Sequence, residues 1–325
     1  MKALIYDAPE TLGFRDAPDP VATGEDHLIR VEAVGICGSD MHAYLGHDDR
    51  RPAPLILGHE AAGVIVGGPR DGDRVTINPL VTCGTCAYCR SGRENLCPTR
   101  QIISMPPREG AFAQFVTMPE RNLVAVPETV DLRLAALAEP LAVSWHAVRL
   151  GLETLHEAMP HTAVVLGGGA IGLAAALALR AMGMTDITLV EPNADRRAFL
   201  TKACDAKLVQ SASDQVSVVV DAVGYAGTRA TASGLAAPGG VVLHIGLAEN
   251  TGGLDIRRMT LQEISFIGTY TYTAQDFRDC TQAMFDGRLG PLDWFETRGL
   301  SDGAGAFADL RKGAVASPKV ILQPW

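Results

Sequence analysis

Four of the chain's seven cysteines fall in one short stretch, CGTCAYCRSGRENLC, from Cys83 to Cys97. The spacing Cys83-x2-Cys86-x2-Cys89-x7-Cys97 offers four thiolates that can close around one zinc ion as a tetrahedral structural site. The Cys97-Pro98 step echoes an iron–sulfur run, but the last gap is far longer than such a run has. A redox CxxC belongs at a helix start beside a strand, and the surroundings here are polar loop. Zinc is the expected occupant. A second metal-compatible set lies in GICGSDMHAYLG (35–46) and LGHEAAGVIVGG (57–68), which hold Cys37, Asp40, His42, His59 and Glu60. Glu139 in LAEPLAVSWHA joins them. Singly, each is ordinary: a lone cysteine is usually a small core residue, a lone histidine a satisfied polar group. Neighbours such as His59 and Glu60 point to opposite sides of a regular strand, so both can face one ion only where the backbone bends.

A third constellation lies in TAVVLGGGAIGLAAALALRAMG, residues 162–183. An apolar strand, a glycine turn and an apolar helix follow one another. Gly167-x-Gly169-x-x-Gly172 fits the dinucleotide fingerprint: one glycine for the tight turn, one for backbone approach to a pyrophosphate, one for close helix–strand packing. The helix start adds amides and the positive end of a dipole. DITLVEPN then ends a second strand at Glu191, where an acid that binds the ribose hydroxyls belongs. A carboxylate there repels a 2′-phosphate, which points to NAD rather than NADP. Arg196 and Arg197 on the next helix are expected to form a solvated face.

The elements that must position these groups differ along the chain. Runs at 216–224, 239–248 and 264–270 are β-branched, bounded by glycine, and read as buried parallel strands. The region is therefore expected to be α/β, a doubly wound parallel sheet. The gap between a strand near 207–209 and the next at 216 is shorter than a crossover helix needs, so a stretched connection or a frayed third strand is expected. Before residue 141 the pattern is many short β-type runs broken by Gly, Pro and Asp, such as HLIRVEAVG and DRVTINP.

The length of 325 residues allows two domains. A net charge of −9 argues against a protein that tracks nucleic-acid phosphates. The start MKALIYDAPE does not read as a signal peptide, and the longest uncharged run, 163–179, is short for a membrane span. A cytoplasmic protein is expected, in which disulfides are disfavoured.

Taken in order, these motifs resemble the zinc-dependent medium-chain dehydrogenases, the alcohol and polyol dehydrogenase group, over nearly the whole chain. The resemblance implies a GroES-like, mostly β catalytic domain from 1–141 and 273–325, and a Rossmann dinucleotide-binding domain from 142–272. It implies a structural zinc on Cys83, Cys86, Cys89 and Cys97. It also implies a catalytic zinc on Cys37 and His59, with Glu60 or Glu139 in the remaining protein position. Asp40 would orient His59, Ser39 would receive the substrate proton, and His42 would pass it to solvent. The implied cofactors are two zinc ions per chain and NAD. The implied reaction is hydride transfer between a secondary alcohol or polyol and NAD, in a homodimer or homotetramer with no nucleic-acid or membrane partner.

The LAEPLAV segment favours the polyol side, while Thr271 stands where polyol members often carry an arginine. Two further readings stay open. One is a zinc protein that binds nucleotide without redox chemistry, the other a zinc-free, NADPH-dependent enone or quinone reductase of the same superfamily. Either would be free to lose Cys37 or His59, which this chain keeps. Cys204 and Cys280 are expected to be packing residues.

Overall fold

In the computed structural model, which describes residues 1–325, short strands fill the first part of the chain. They are β1 (Lys2–Ala8), β2 (Thr11–Asp16), β3 (Asp26–Gly35), β4 (Leu55–Ile56), β5 (Glu60–Val66), β6 (Arg74–Ile77), β7 (Leu80–Val81), β8 (Gln101–Ile102), β9 (Phe115–Pro119) and β10 (Leu123–Ala125). Three short helices interrupt them, α1 (Gly38–Tyr44), α2 (Ala87–Arg90) and α3 (Leu132–Ala135). Then follow α4 (Ala138–Thr154), β11 (Thr162–Leu166), α5 (Ala170–Ala181), β12 (Asp186–Val190), α6 (Ala194–Leu200), β13 (Lys207–Val209) and β14 (Val216–Asp221). Next come α7 (Ala226–Leu235), β15 (Ala236–His244), α8 (Ile256–Leu261) and β16 (Ser265–Gly268). The chain ends with α9 (Ala274–Phe285), β17 (Phe295–Gly299), α10 (Gly303–Arg311) and β18 (Lys319–Gln323).

These elements form two units. The first comprises Met1–Glu139, Thr273–Phe285 and Phe295–Trp325; the second comprises Pro140–Tyr272 and Asp286–Trp294. Its last piece departs from the expected boundaries, which put 286–294 with the first unit. Leu289, Leu292 and Trp294 are buried, and the Arg288 guanidinium lies 5.8 Å over the Trp145 ring, within the second unit.

In the first unit the main sheet runs β10-β6-β5-β3-β18-β17, with β9 also on β3; β2-β1-β4 and β7-β8 form smaller sheets. The register pairs Gly35 with Glu60 on one side and Ile321 on the other. That brings the end of β3 beside the starts of β5 and β18. Ile29, Val31, Ile65, Ile77, Phe112 and Phe307 are buried in the core behind them.

In the second unit six parallel strands lie in the order β13-β12-β11-β14-β15-β16. β13 has only three residues, and the link from Val209 to Val216 carries no helix. The reason is reach. The link steps past two strands, a span of about 14 Å at the usual strand spacing. Seven residue steps cover about 23 Å extended but only about 10 Å as helix. Ala212 of the link packs instead against the apolar cluster of Val164, Leu166 and Val219.

Candidate active site and metal centres

Cys37 stands just after β3 as the cap of α1, and His59 just before β5. Between strand and loop, Gly58 has φ 90, and a Cβ on it would lie 2.5 Å from the Phe112 ring. This is the backbone bend that lets His59 and Glu60 face the same side. Gly35 makes room: a Cβ there would fall 2.1 Å from Glu60 Oε2. Cys37, His59 and Glu60 each present one ligand atom, all within 4.8 Å of one another. Glu139, buried in the first turn of α4, lies outside this group of three.

The imidazole of His59 is held on both edges. Nδ1 lies 3.4 Å from Asp40 Oδ1 and 3.4 Å from Ser104 Oγ, and Nε2 lies 3.5 Å from Ser39 Oγ. Asp40 is fully buried and accepts from the amides of Cys37 at 3.0 Å and Gly58 at 3.2 Å. Burial opposes its ionisation, but His59 and Arg51 outweigh that and keep its carboxyl below the ordinary range. Burial likewise opposes charge on His59, yet Asp40 and the Cys37 sulfur lift its pKa well above the ordinary value. A cation seated among the three ligands would replace that proton. His42 is exposed one turn further along α1 and makes no side-chain bond to Ser39.

Lys319, at the start of β18, joins the candidate site with no sequence signal of its own. Its ammonium is buried, donating to Glu60 Oε1 at 2.6 Å and to the Ile36 carbonyl at 3.0 Å. Burial would lower its pKa, but Glu60, Cys37 and Glu139 raise it above the ordinary lysine value. Glu60 is thereby left with Oε2 buried and without a partner. An orphaned carboxylate oxygen beside a thiol and an imidazole is a fit for a metal ion.

The four-cysteine lobe fits a second ion. Its Sγ–Sγ distances include 3.5 Å for Cys86–Cys89, 3.6 Å for Cys97–Cys83 and 3.9 Å for Cys83–Cys89. A tetrahedron with Zn–S of about 2.3 Å has edges of about 3.8 Å. Amides point at the sulfurs, from Cys86 to Cys83 and from Cys89 to Cys86, as they do toward thiolates. Bonds from Thr85 and Cys86 pull the exposed Cys83 thiol down to about 5, while burial and Cys86 push Cys89 up to about 11. The other two cysteines are packed, Cys280 wholly buried and Cys204 half-buried.

In the second unit Gly167 turns at φ 97, where a Cβ would meet Val223 at 2.5 Å. Gly172 packs so closely that a Cβ would lie 1.8 Å from the Gly167 carbonyl. Gly169 caps α5 and faces open space, leaving room for a phosphate. Glu191 is buried, its carboxylate accepting from Gly168 N at 3.0 Å and Asn193 N at 2.8 Å. Arg197 departs from the expected solvated face: it turns inward and donates to the carbonyls of Glu191 and Pro192. Thr271 has left-handed backbone at φ 48 and a buried hydroxyl without a partner.

Residues 23–128 match the alcohol dehydrogenase GroES-like domain, and residues 170–286 match the zinc-binding dehydrogenase domain. The sorbitol dehydrogenase of Bacillus subtilis is 32% identical, covering 84% of this chain and 82% of its own. A probable D-xylulose reductase A of Arthroderma otae is 30% identical, covering 96% and 94%. A Sinorhizobium meliloti dehydrogenase structure bound to NADP is 26% identical, with a TM-score of 0.89 and 99% of each chain covered. Donor clusters, glycine turn and these likenesses agree: the chain belongs to the zinc-dependent medium-chain dehydrogenases, the alcohol and polyol oxidoreductases.

Proposed function

We propose that this protein is an NAD-dependent dehydrogenase of secondary alcohols or polyols holding two zinc ions, one on Cys37, His59 and Glu60 and one on the four-cysteine lobe. Two observations carry the reading: the Cys37, His59 and Glu60 ligand atoms lie within 4.8 Å of one another, and the buried Glu60 Oε2 has no partner. They also favour Glu60 over Glu139 as the third ligand. A zinc ion bound there supplies Lewis-acid activation, easing loss of an alcohol's hydroxyl proton.

The chain's own groups do the rest. Asp40 holds the Nδ1 side of His59, leaving Nε2 for the ion. Ser39 Oγ, half-exposed beside Nε2, accepts the substrate proton as it gives its own hydroxyl proton to water. The exposed His42 on the same helix takes a proton from that water and passes it to solvent. Gly167, Gly169 and Gly172 receive the dinucleotide phosphates and Glu191 the ribose. The sorbitol and xylulose relatives support a polyol, while the neutral Thr271 supports an uncharged one. Thiols without disulfides, and no helix long and apolar enough to cross a membrane, support a cytoplasmic location. Exposed Leu247, Ile256, Leu261 and Phe266 in the second unit support a homodimer or homotetramer.

A panel of polyols, diols and secondary alcohols assayed for NADH formation tests the reading. Turnover of at least one class, abolished by stripping the metal, is expected; no turnover of any would overturn it.

A further inference from the structure

Arg51 is buried, and beyond its charge near Asp40 it makes hydrogen bonds of its own. Its Nε donates to the Ser104 carbonyl at 3.1 Å, and its Nη1 donates to the Ser39 carbonyl at 3.4 Å and to Asp48 at 2.7 Å. Ser104 is fully buried at φ 71, a left-handed backbone that residues other than glycine seldom adopt. Such strain persists only where the surroundings over-determine it. Here the Arg51 bond to its carbonyl is one of those restraints. The outcome is chemical: the Ser104 hydroxyl arrives 3.4 Å from His59 Nδ1, while Ser39 stands 3.5 Å from Nε2.

We propose that Arg51 and Ser104 are positioning residues for the metal-binding imidazole, the guanidinium pinning the Ser104 turn and the first turn of α1 so that the two serine hydroxyls bracket His59. The proposal rests on the reading of Cys37, His59 and Glu60 as zinc ligands. A neutral imidazole with a metal on Nε2 has one ring hydrogen, at Nδ1. Two acceptors share it, Asp40 Oδ1 and Ser104 Oγ, each at 3.4 Å. Asp40 is fixed by the amides of Cys37 and Gly58, so it cannot follow the ring. Ser104 supplies a second contact, and two contacts set the ring's tilt where one would let it swing. Lysine in place of Arg51 would keep the charge but lacks the fork that reaches both carbonyls.

The test uses the full-length enzyme after wild type has been shown to hold two zinc ions per chain. Ser104→Ala removes the hydroxyl; Ser104→Gly removes it and relieves the backbone as well. Both variants are expected to release the active-site zinc to EDTA about tenfold faster or more. Both should also shift the visible bands of the cobalt-substituted protein and lose kcat with KM for NAD unchanged. Arg51→Lys should reproduce these losses and add nothing when combined with Ser104→Ala. If Ser104→Gly behaves as wild type in all three measurements, only backbone strain mattered and the proposal is overturned. Additive losses in the double variant would overturn the part given to Arg51, and should Arg51→Lys fail to fold, the two Ser104 variants still decide. A wild type holding a single zinc would overturn the underlying assignment instead.

Discussion

The four-cysteine lobe closes on itself within one short loop and keeps Cys83 at the surface, whereas Cys37, His59 and Glu60 are gathered at strand ends and backed by Lys319, 259 residues beyond Glu60. In the lobe the only donors are thiols, and water can screen their charge. In the buried site one carboxylate oxygen is taken by an ammonium, which offsets negative charge where the dielectric is low. The difference separates two tasks. On the proposed reading, a closed set of thiolates would brace a loop, while a mixed set with a balancing cation would leave an ion positive enough to act on substrate.

The largest effect expected is a split between the two clusters. Cys37→Ala should lower turnover about a thousandfold or more, equivalent to about 4 kcal/mol of lost activation. Its circular dichroism and one remaining zinc should match a folded protein. Cys86→Ala should do the reverse, losing the lobe's zinc and soluble protein first. Metal content measured beside kcat distinguishes the two, and exchanged phenotypes would reverse the assignment.

The next effect concerns Lys319. Removing one partner of a buried ion pair destabilises by about 3–5 kcal/mol. Lys319→Met should therefore lower the denaturant midpoint of the metal-free protein strongly. Zinc should restore much of the loss, because an ion on Glu60 can take over the lysine's role. A midpoint equally lowered with and without zinc would mean that Lys319 only packs.

The same contrast explains what could be read in the chain. The cysteine lobe and the glycine turn are local, so their spacing carries the geometry; the β-branched runs 216–224 and 239–248 mark β14 and most of β15, which begins three residues earlier, at Ala236. Lys319 and Ser104 were invisible. One reaches Glu60 through the β18–β3 register, and the other acquires its role from a left-handed backbone that no residue pattern announces. The proposed preference for Glu60 over Glu139 likewise rests on the bend at Gly58 and the room left by Gly35. Residues 286–294 fall in the second unit rather than the first because contacts decide membership, such as Arg288 over the Trp145 ring, and a short loop has no period to show them.

A smaller effect sharpens the picture of the lobe. In metal-stripped protein at neutral pH, a Cys83 thiol near 5 is almost wholly thiolate, while a Cys89 thiol near 11 is ionised only to about one part in ten thousand. The weaker intrinsic nucleophilicity of a low-pKa thiolate takes back about a thousandfold. Iodoacetamide should then label Cys83 ahead of Cys89, and bound zinc should protect both. Equal labelling without metal would show that the hydrogen bonds from Thr85 and Cys86 do not select Cys83.

The smallest effect concerns cofactor choice at Glu191. Its carboxylate repels a 2′-phosphate, so Glu191→Ala should erode a preference for NAD. The erosion should stop short of reversal, by about tenfold or less in the ratio of kcat/KM values, because the neighbouring arginines are unequally free. Arg197 already serves the carbonyls of Glu191 and Pro192 and would have to abandon both to clasp a phosphate. Arg196 is the one available, its buried Nε having no partner. Glu191 also holds the amide of Gly168, so the substitution should loosen the glycine turn and raise KM for both dinucleotides while kcat changes little. Steady-state kinetics of Glu191→Ala, alone and with Arg196→Ala, measure this directly. If Arg196→Ala leaves the NADP activity of Glu191→Ala untouched, the gain comes from lost repulsion alone; a full reversal toward NADP would show that Arg197 had left its carbonyls.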